Sequence, residues 1–404
     1  MDPKFSILVP TRQRPDTLLA TLATLIWHPG DDYEIVIADN CGNDDVAAVV
    51  GAAQQRHGRI RHLRSDQVLP MSDNWERGLA ACAGEYVSVL GDDDGFLPST
   101  LDIVRKLVSI TDARLVSWEA HVYWWPDTVV HWERNRLYAA LGDNDMRWLD
   151  SRSALVETYR HVAAFAHLPS IYNGFVHREI VDTVIDRFGA YFVPPGVSPD
   201  IASGITNLAH SSRYLHSYRP LAVRGNSRRS TGTSFAARSL GKEQQETYLK
   251  EEGKTIEQLT HPSIPASRNI VLCTASNKLL IKELMFPHER ELQVNLADAV
   301  RQVIAGLNID PDAYEDNLAE ARRLAEKIGL QIDPATIPAR APAIHRPQQG
   351  PQVSGTSVSL GINCELANVF DVAGAARLVE AMSAPVTISA QRPAADTEVR
   401  QKAG

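Results

Sequence analysis

What most restricts this chain is the regular alternation, over its first hundred residues, of short β-branched runs with stretches of helical periodicity. "FSILVP" reads as a buried strand, and "TLLATLATLIW" sets Leu18, Leu22, Leu25 and Ile26 on one helical face. "YEIVIADN" is the second strand, "DVAAVVGAAQQRH" the next helix and "RIRHLRS" a polar edge strand. "NWERGLAACAG" is a helix that delivers the chain into "EYVSVLGDDD". Strands joined through helices pair in parallel, so the expected fold is α/β, with a mostly parallel, Rossmann-like central sheet flanked by helices. In such sheets a ligand sits beyond the carboxyl ends of the strands. Each strand here ends in polar residues, so Thr11, Asp39 and the run Asp92, Asp93, Asp94 should line one crevice.

The stretch "VLGDDDGFLP" puts three carboxylates in a row directly after an apolar run, where something must offset their repulsion. A cation such as Mg2+ or Mn2+ does so, because hard ions take oxygen ligands and share them with substrate phosphates. A solvated acidic turn closing the strand is the other reading. A metal-bridged diphosphate is the economical form of the first, since the ion cancels both the aspartate repulsion and the phosphate charge. Asp39 is placed either to hydrogen-bond a base or ribose or to form the turn in "ADNCGND". No GxGxxG follows the first strand and no GxxxxGK[ST] occurs, so a nicotinamide site and a Walker-type ATPase lack their signals.

Composition narrows the partners. A net charge of -8 argues against nucleic acid or an anionic membrane as a general partner. The 4 cysteines lie far apart with no CxxC pair, which suggests neither a zinc site nor a disulfide framework but free thiols in a reducing cytoplasm. "MDPKFSILVP" has no basic region followed by a long apolar one, and no stretch reaches the roughly 18 apolar residues of a membrane span. Trp118, Tyr123, Trp124, Trp125 and Trp132 read as core filling, with stacking on a sugar as the alternative. His177, His210 and His216 read as core or surface histidines rather than metal ligands.

The segments "SILVPTRQRPDTL", "YEIVIADNCGND" and "NWERGLAACAGEYVSVLGDDDGFLP" together resemble family 2 glycosyltransferases, strongly over residues 5 to about 110 and loosely to about 225. The resemblance implies a GT-A fold and a metal-dependent, inverting enzyme that uses a nucleotide-diphosphate sugar, with Mn2+ or Mg2+ as cofactor. It implies Pro10, Thr11, Arg14 and Asn74 near the nucleotide, Asp39 on the base, and Asp92 with Asp93 or Asp94 as the metal-binding DxD residues. Two departures stand out: the usual acidic pair after the second strand is Asp39-Asn40, and the first DxD position falls on Gly91. The family's base for the acceptor hydroxyl points to Asp200 in "VPPGVSPDIASGITNLAH", whose other reading is a helix N-cap. Glu179 and Asp182 are the reserve candidates. Arg228 and Arg229 in "GNSRRSTGTS" are placed to fold over the diphosphate, or to form a solvated basic loop.

The expected organisation is a GT-A domain over 1–225, split at 112 into nucleotide and acceptor halves, then a helical extension over 226–330. Helical periodicity recurs there at 268–285, 288–306 and 312–328. Prolines at 334, 338, 342, 347 and 351 mark a linker over 331–352, so the chain should tolerate a cut near Pro334. Residues 353–404 hold one strand and one helix, too little for a core, and are expected to dock or remain partly disordered. The expected substrates are a uridine-diphosphate sugar and a glycan or lipid-linked acceptor, at the inner face of the membrane if the enzyme associates with it peripherally. A homo-oligomer is compatible with all of this. A nucleotidyltransferase and a catalytically inactive sugar-nucleotide scaffold are the competing readings.

Overall fold

The computed structural model describes residues 3–141, 144–162, 168–342, 351–354 and 357–383. Strands β1 (Phe5–Thr11), β2 (Tyr33–Asp39), β3 (Ile60–Arg64) and β4 (Tyr86–Val89) alternate with helices α1 (Pro15–Ile26), α2 (Asp44–Arg56) and α3 (Met71–Ala81). All four strands are parallel, with β1 between β2 and β4 and β3 at the edge beside β2. Along β1 and β2 the side chains alternate between two cores. Phe5, Ile7, Val9, Ile35 and Ile37 meet α1 and α2, while Leu8, Val36 and Ala38 face Trp75 and Leu79 of α3. Leu18, Leu22 and Leu25 are buried as the periodicity requires. Asn43 caps α2 by accepting the Val46 amide at 3.1 Å, with Asp44 and Asp45 in the first turn, where the helix dipole favours them.

After β5 (Gly95–Phe96), α4 (Thr100–Thr111) and β6 (Leu115–Trp124), the chain forms β7 (Arg136–Leu141), β8 (Met146–Asp150), α5 (Ser151–Arg160), β9 (Gly174–His177), α6 (Arg178–Phe188), α7 (Pro199–Ala209) and the long β10 (Arg213–Asn226). Strand β9 runs antiparallel between β4 and β6, and β10 pairs with β5, β6 and β8, so this half is mixed where the first is parallel.

The extension comprises α8 (Thr231–Ala236), α9 (Lys242–Glu252), α10 (Ile256–Leu259), α11 (Ile270–Met285), α12 (Leu296–Ala305) and α13 (Tyr314–Lys327). Its last three helices enclose their own core of Leu272, Val300, Val303, Leu318 and Leu324. The helix expected from residue 288 begins only at Leu296, because Asn295 caps it through the Asp298 amide and the preceding segment forms turns. Lys278 fastens α11 to the end of α5, donating to the carbonyls of Thr158, His161 and Val162 at 2.7, 3.1 and 2.7 Å.

The terminal segment takes the docking alternative. Strands β11 (Pro351–Ser354) and β12 (Ser357–Asn363) extend the sheet through β7, and α14 (Val372–Met382) packs on α1, β5 and β10. Val372, Ala375, Ala376, Val379 and Cys364 join Leu97, Tyr123, Trp125 and Val223 in one core cluster. The sheet-bearing body therefore does not close at residue 225; a strand and a helix from beyond the proline-rich stretch complete it. Residues 343–350 of that stretch and 384–404 lie outside the described residues. Among the described residues no helix is long and apolar enough to cross a membrane.

Candidate functional site

The carboxyl ends of β1, β2 and β4 meet as the polar strand ends require, and two turns there carry left-handed, non-glycine backbone, Gln13 at φ 53° and Cys41 at φ 56°. Asp92, Asp93 and Asp94 are all buried just past β4, yet their carboxylates serve different partners. Asp92 accepts the Thr11 hydroxyl at 2.7 Å and the Arg14 guanidinium at 2.9 Å. Asp93 accepts the hydroxyls of Ser227 and Ser230 at 2.6 and 2.5 Å. Asp94 accepts the Gly225 amide at 2.6 Å, the Gly91 amide at 3.2 Å and the Tyr172 hydroxyl.

Burial pushes the Asp94 carboxyl up to about 7, with Asp93 adding to the rise, and burial likewise raises Asp92 against the pull of Arg14. Burial works against the charge on Arg14 too, but Asp92 and Asp93 outweigh it and hold that guanidinium charged. Among the described residues no three acid, histidine or cysteine side chains stand grouped to hold a metal, and the three aspartates turn to different partners. Asp92 and Asp94 are bound by an arginine and by backbone amides. The partners of Asp93 are two hydroxyls and the Ser227 amide of one loop, the amide at 3.3 Å. An oxygen-only set of one or two carboxylates, completed by phosphate oxygens, is what Mg2+ or Mn2+ takes, so the residues fit such an ion.

The departure at position 91 has a steric cause. A Cβ on Gly91 would lie 2.3 Å from the Tyr172 hydroxyl oxygen, which fills the space a side chain there would need. At Gly225 a Cβ would lie 1.9 Å from the Asp93 carbonyl oxygen. We expect Gly225→Ala to lower stability by about 2 kcal/mol or more through overpacking, read as a drop in Tm. An unchanged Tm would mean that β10 and the aspartate loop can separate freely.

Asp39 is wholly buried. Its oxygens accept the Gly42 amide at 2.7 Å and meet His62 Nε2 at 2.9 Å, the geometry of the turn-forming alternative. Asn74 is spent on the Ala38 carbonyl at 2.9 Å and on Arg77, and it ties α3 to the end of β2. Pro10 lies in β1 opposite Ala38. Arg229 donates to the Gln13 carbonyl at 2.6 Å and Arg14 reaches back to the Arg229 carbonyl, so the basic loop closes onto the turn after β1. Arg228 is exposed and its side chain pairs with Glu243 at 3.6 Å.

Asp200 is exposed in the first turn of α7. One carboxylate oxygen accepts the Ser198 hydroxyl and the Ile201 amide, and the other takes no hydrogen bond among the described residues. Helix α7 is tied toward the aspartates: Ser203, one turn on, meets the Ser170 hydroxyl at 3.2 Å, and the following turn carries Tyr172 to Asp94. Glu179 and Asp182 belong to the opposite end. Strand β9 is antiparallel to β4 with His177 beside Tyr86, so α6 starts where β4 begins, not where it ends.

His177, His210 and His216 bond Glu179, Thr206 and Ser117 and stay outside the site. Trp118, Tyr123 and Trp125 are core, with Trp125 Nε1 bracing the Asp93 carbonyl at 2.9 Å, while Trp124 and Trp132 are partly exposed. Sequence reasoning passed over Arg12 and Tyr172, and took Ser227 and Ser230 only as neighbours of Arg228 and Arg229 in the basic loop. Only Arg12 carried a signal, through its place between Thr11 and Arg14.

Residues 6–151 match Glycosyl transferase family 2. A GalNAc(5)-diNAcBac-PP-undecaprenol beta-1,3-glucosyltransferase of Campylobacter jejuni is 32% identical over 105 residues, which are 26% of this chain and 34% of that protein. An uncharacterized protein of Mycobacterium tuberculosis is 25% identical over 104 residues, 26% of this chain and 32% of that one. The match thus spans about a third of the length of these relatives. Among solved structures, S. aureus TarS 1-349 in complex with UDP-GlcNAc has a TM-score of 0.43 at 11% identity, covering 82% of this chain and 93% of that one. The mannosyltransferase PcManGT from Pyrobaculum calidifontis, in complex with GDP-Man and Mn2+, has a TM-score of 0.39 at 14% identity, covering 81% of each. At that distance neither assigns a role to a residue here.

Proposed function

Since residues 6–151 of this chain belong to glycosyl transferase family 2, we propose that the protein transfers a sugar, with inversion, from a uridine-diphosphate donor to a glycan or lipid-linked acceptor in polysaccharide or glycoconjugate synthesis. The observation that carries this reading is the meeting of buried aspartates with Arg12, Arg14 and Arg229 at the carboxyl ends of parallel strands. Acids for a cation and guanidiniums for phosphate oxygens are the two halves of a metal-diphosphate site. The lipid-linked acceptor draws on the name of the Campylobacter relative.

Asp93 and Asp92 would hold Mg2+ or Mn2+, which when bound neutralises phosphate charge and helps the diphosphate leave. Arg14 and Arg229 stabilise the negative charge that develops on the departing diphosphate. Asp200 accepts the proton of the acceptor hydroxyl as its oxygen attacks the anomeric carbon, and the bond to the diphosphate breaks on the opposite side. Thr11 and Arg14 hold Asp92 in place, while Tyr172 and the Gly225 amide hold Asp94.

Donor hydrolysis across a panel of nucleotide sugars tests the reading. A uridine-diphosphate sugar should be cleaved with Mn2+ or Mg2+, lose its binding in EDTA and regain it on adding the metal. Donor affinity that EDTA leaves undiminished by calorimetry would overturn the metal bridge, and a panel in which no nucleotide sugar binds would overturn the function.

A further inference from the structure

Arg12 follows the end of β1 and carries an acidic partner from far along the chain. Its guanidinium pairs with Glu251 in the last turn of α9, and its Nε is buried without a hydrogen-bond partner among the described residues. Arg14 and Arg229 lie close enough for their charges to act on it. Of these three guanidiniums, Arg14 is committed to Asp92 and Arg229 to the Gln13 carbonyl, both within the aspartate and basic-loop network. Arg12 alone is neutralised by the helical extension. The neighbouring Glu252 accepts the Met71 amide at 2.8 Å, so the end of α9 bridges the start of α3 and the turn after β1.

We propose that Glu251 is an internal competitor for the donor's diphosphate, holding the Arg12 guanidinium that phosphate oxygens take in the bound state. This rests on the donor reading above. Both side chains keep about a quarter of their surface exposed, at 27% and 23%, so the pair is weakly held and can open. A diphosphate brings more negative charge than a carboxylate and matches its two-oxygen bonding of the guanidinium, so it displaces Glu251. The Glu252 contact uses a backbone amide and stays in place, so α9 keeps its seat while Glu251 swings away.

The test measures pyrophosphate and UDP affinity by calorimetry for wild type, Glu251→Gln, Arg12→Gln and the double variant, with Tm as the check on folding. Glu251→Gln should bind both probes about three- to fivefold more tightly, the scale of a partly exposed ion pair. Arg12→Gln should bind both more weakly, and adding Glu251→Gln to it should change nothing. Arg12→Lys replaces Arg12→Gln if the latter lowers Tm. Unchanged or weaker binding by Glu251→Gln overturns the proposal. Tighter pyrophosphate binding in a protein that binds no nucleotide sugar would uphold the competitor and overturn the donor reading. Nucleotide-sugar binding that Glu251→Gln leaves untouched would do the reverse.

Discussion

Replacing Asp200 with Asn should lower transfer by about a hundredfold or more while leaving donor affinity unchanged. The substitution keeps the shape and the oxygen that accepts the Ser198 hydroxyl and the Ile201 amide, and it removes only the basicity. Ser198, not Asp200, is the N-cap of α7, and Asn keeps the local acceptor oxygen, so the Tm should hold. The carboxylate is exposed and its second oxygen takes no donor among the described residues, which an acceptor hydroxyl requires. The measurement is a pair, nucleotide-sugar affinity by calorimetry and transfer rate to an acceptor. Near-normal transfer would return Asp200 to a purely local role. Glu179 and Asp182 could not replace it, because α6 starts at the wrong end of β4.

Removing residues 351–404 should unfold the protein or lower its Tm severely, the opposite of what the proline spacing alone suggests. Val372 and Val379 are fully buried, and each such side chain contributes about 1.5 to 3 kcal/mol. Against a total stability of about 5 to 15 kcal/mol, those two residues alone are a large share. The cut would also strip α14 from behind the site: Val372 packs 3.2 Å from where a Cβ on Gly95 would stand, immediately after Asp94. Circular dichroism melting of the truncated chain decides it. A cooperative melt at the wild-type temperature would show that β12 and α14 only decorate a body that is complete without them.

The parallel half of the fold was legible because its signals are local. Near-continuous apolar runs in "FSILVP" and "YEIVIADN" and the periodicity of Leu18, Leu22 and Leu25 already point to a buried βαβ unit, and strand ends gather at one rim in any such unit. From that rule the sequence by itself pointed Thr11, Asp39 and the run Asp92 to Asp94 at one crevice, while Arg14 came in only through the family resemblance. For Trp118 and Tyr123 it favoured core over a sugar-stacking surface, and their burial in the structure agrees.

Tertiary structure alone decided the rest, because those contacts join residues far apart in sequence. No local pattern tells that Ser227 and Ser230 will take Asp93, that Tyr172 will fill the space beside Gly91, or that Glu251 will meet Arg12. Nor does composition tell that Asp39 turns both oxygens inward, since a turn-former and a base-holder look alike in "ADNCGND". The terminal strand and helix read as too small to fold, which is true of them in isolation. Their apolar residues find a core only against Tyr123, Trp125 and Val223, which the earlier chain supplies.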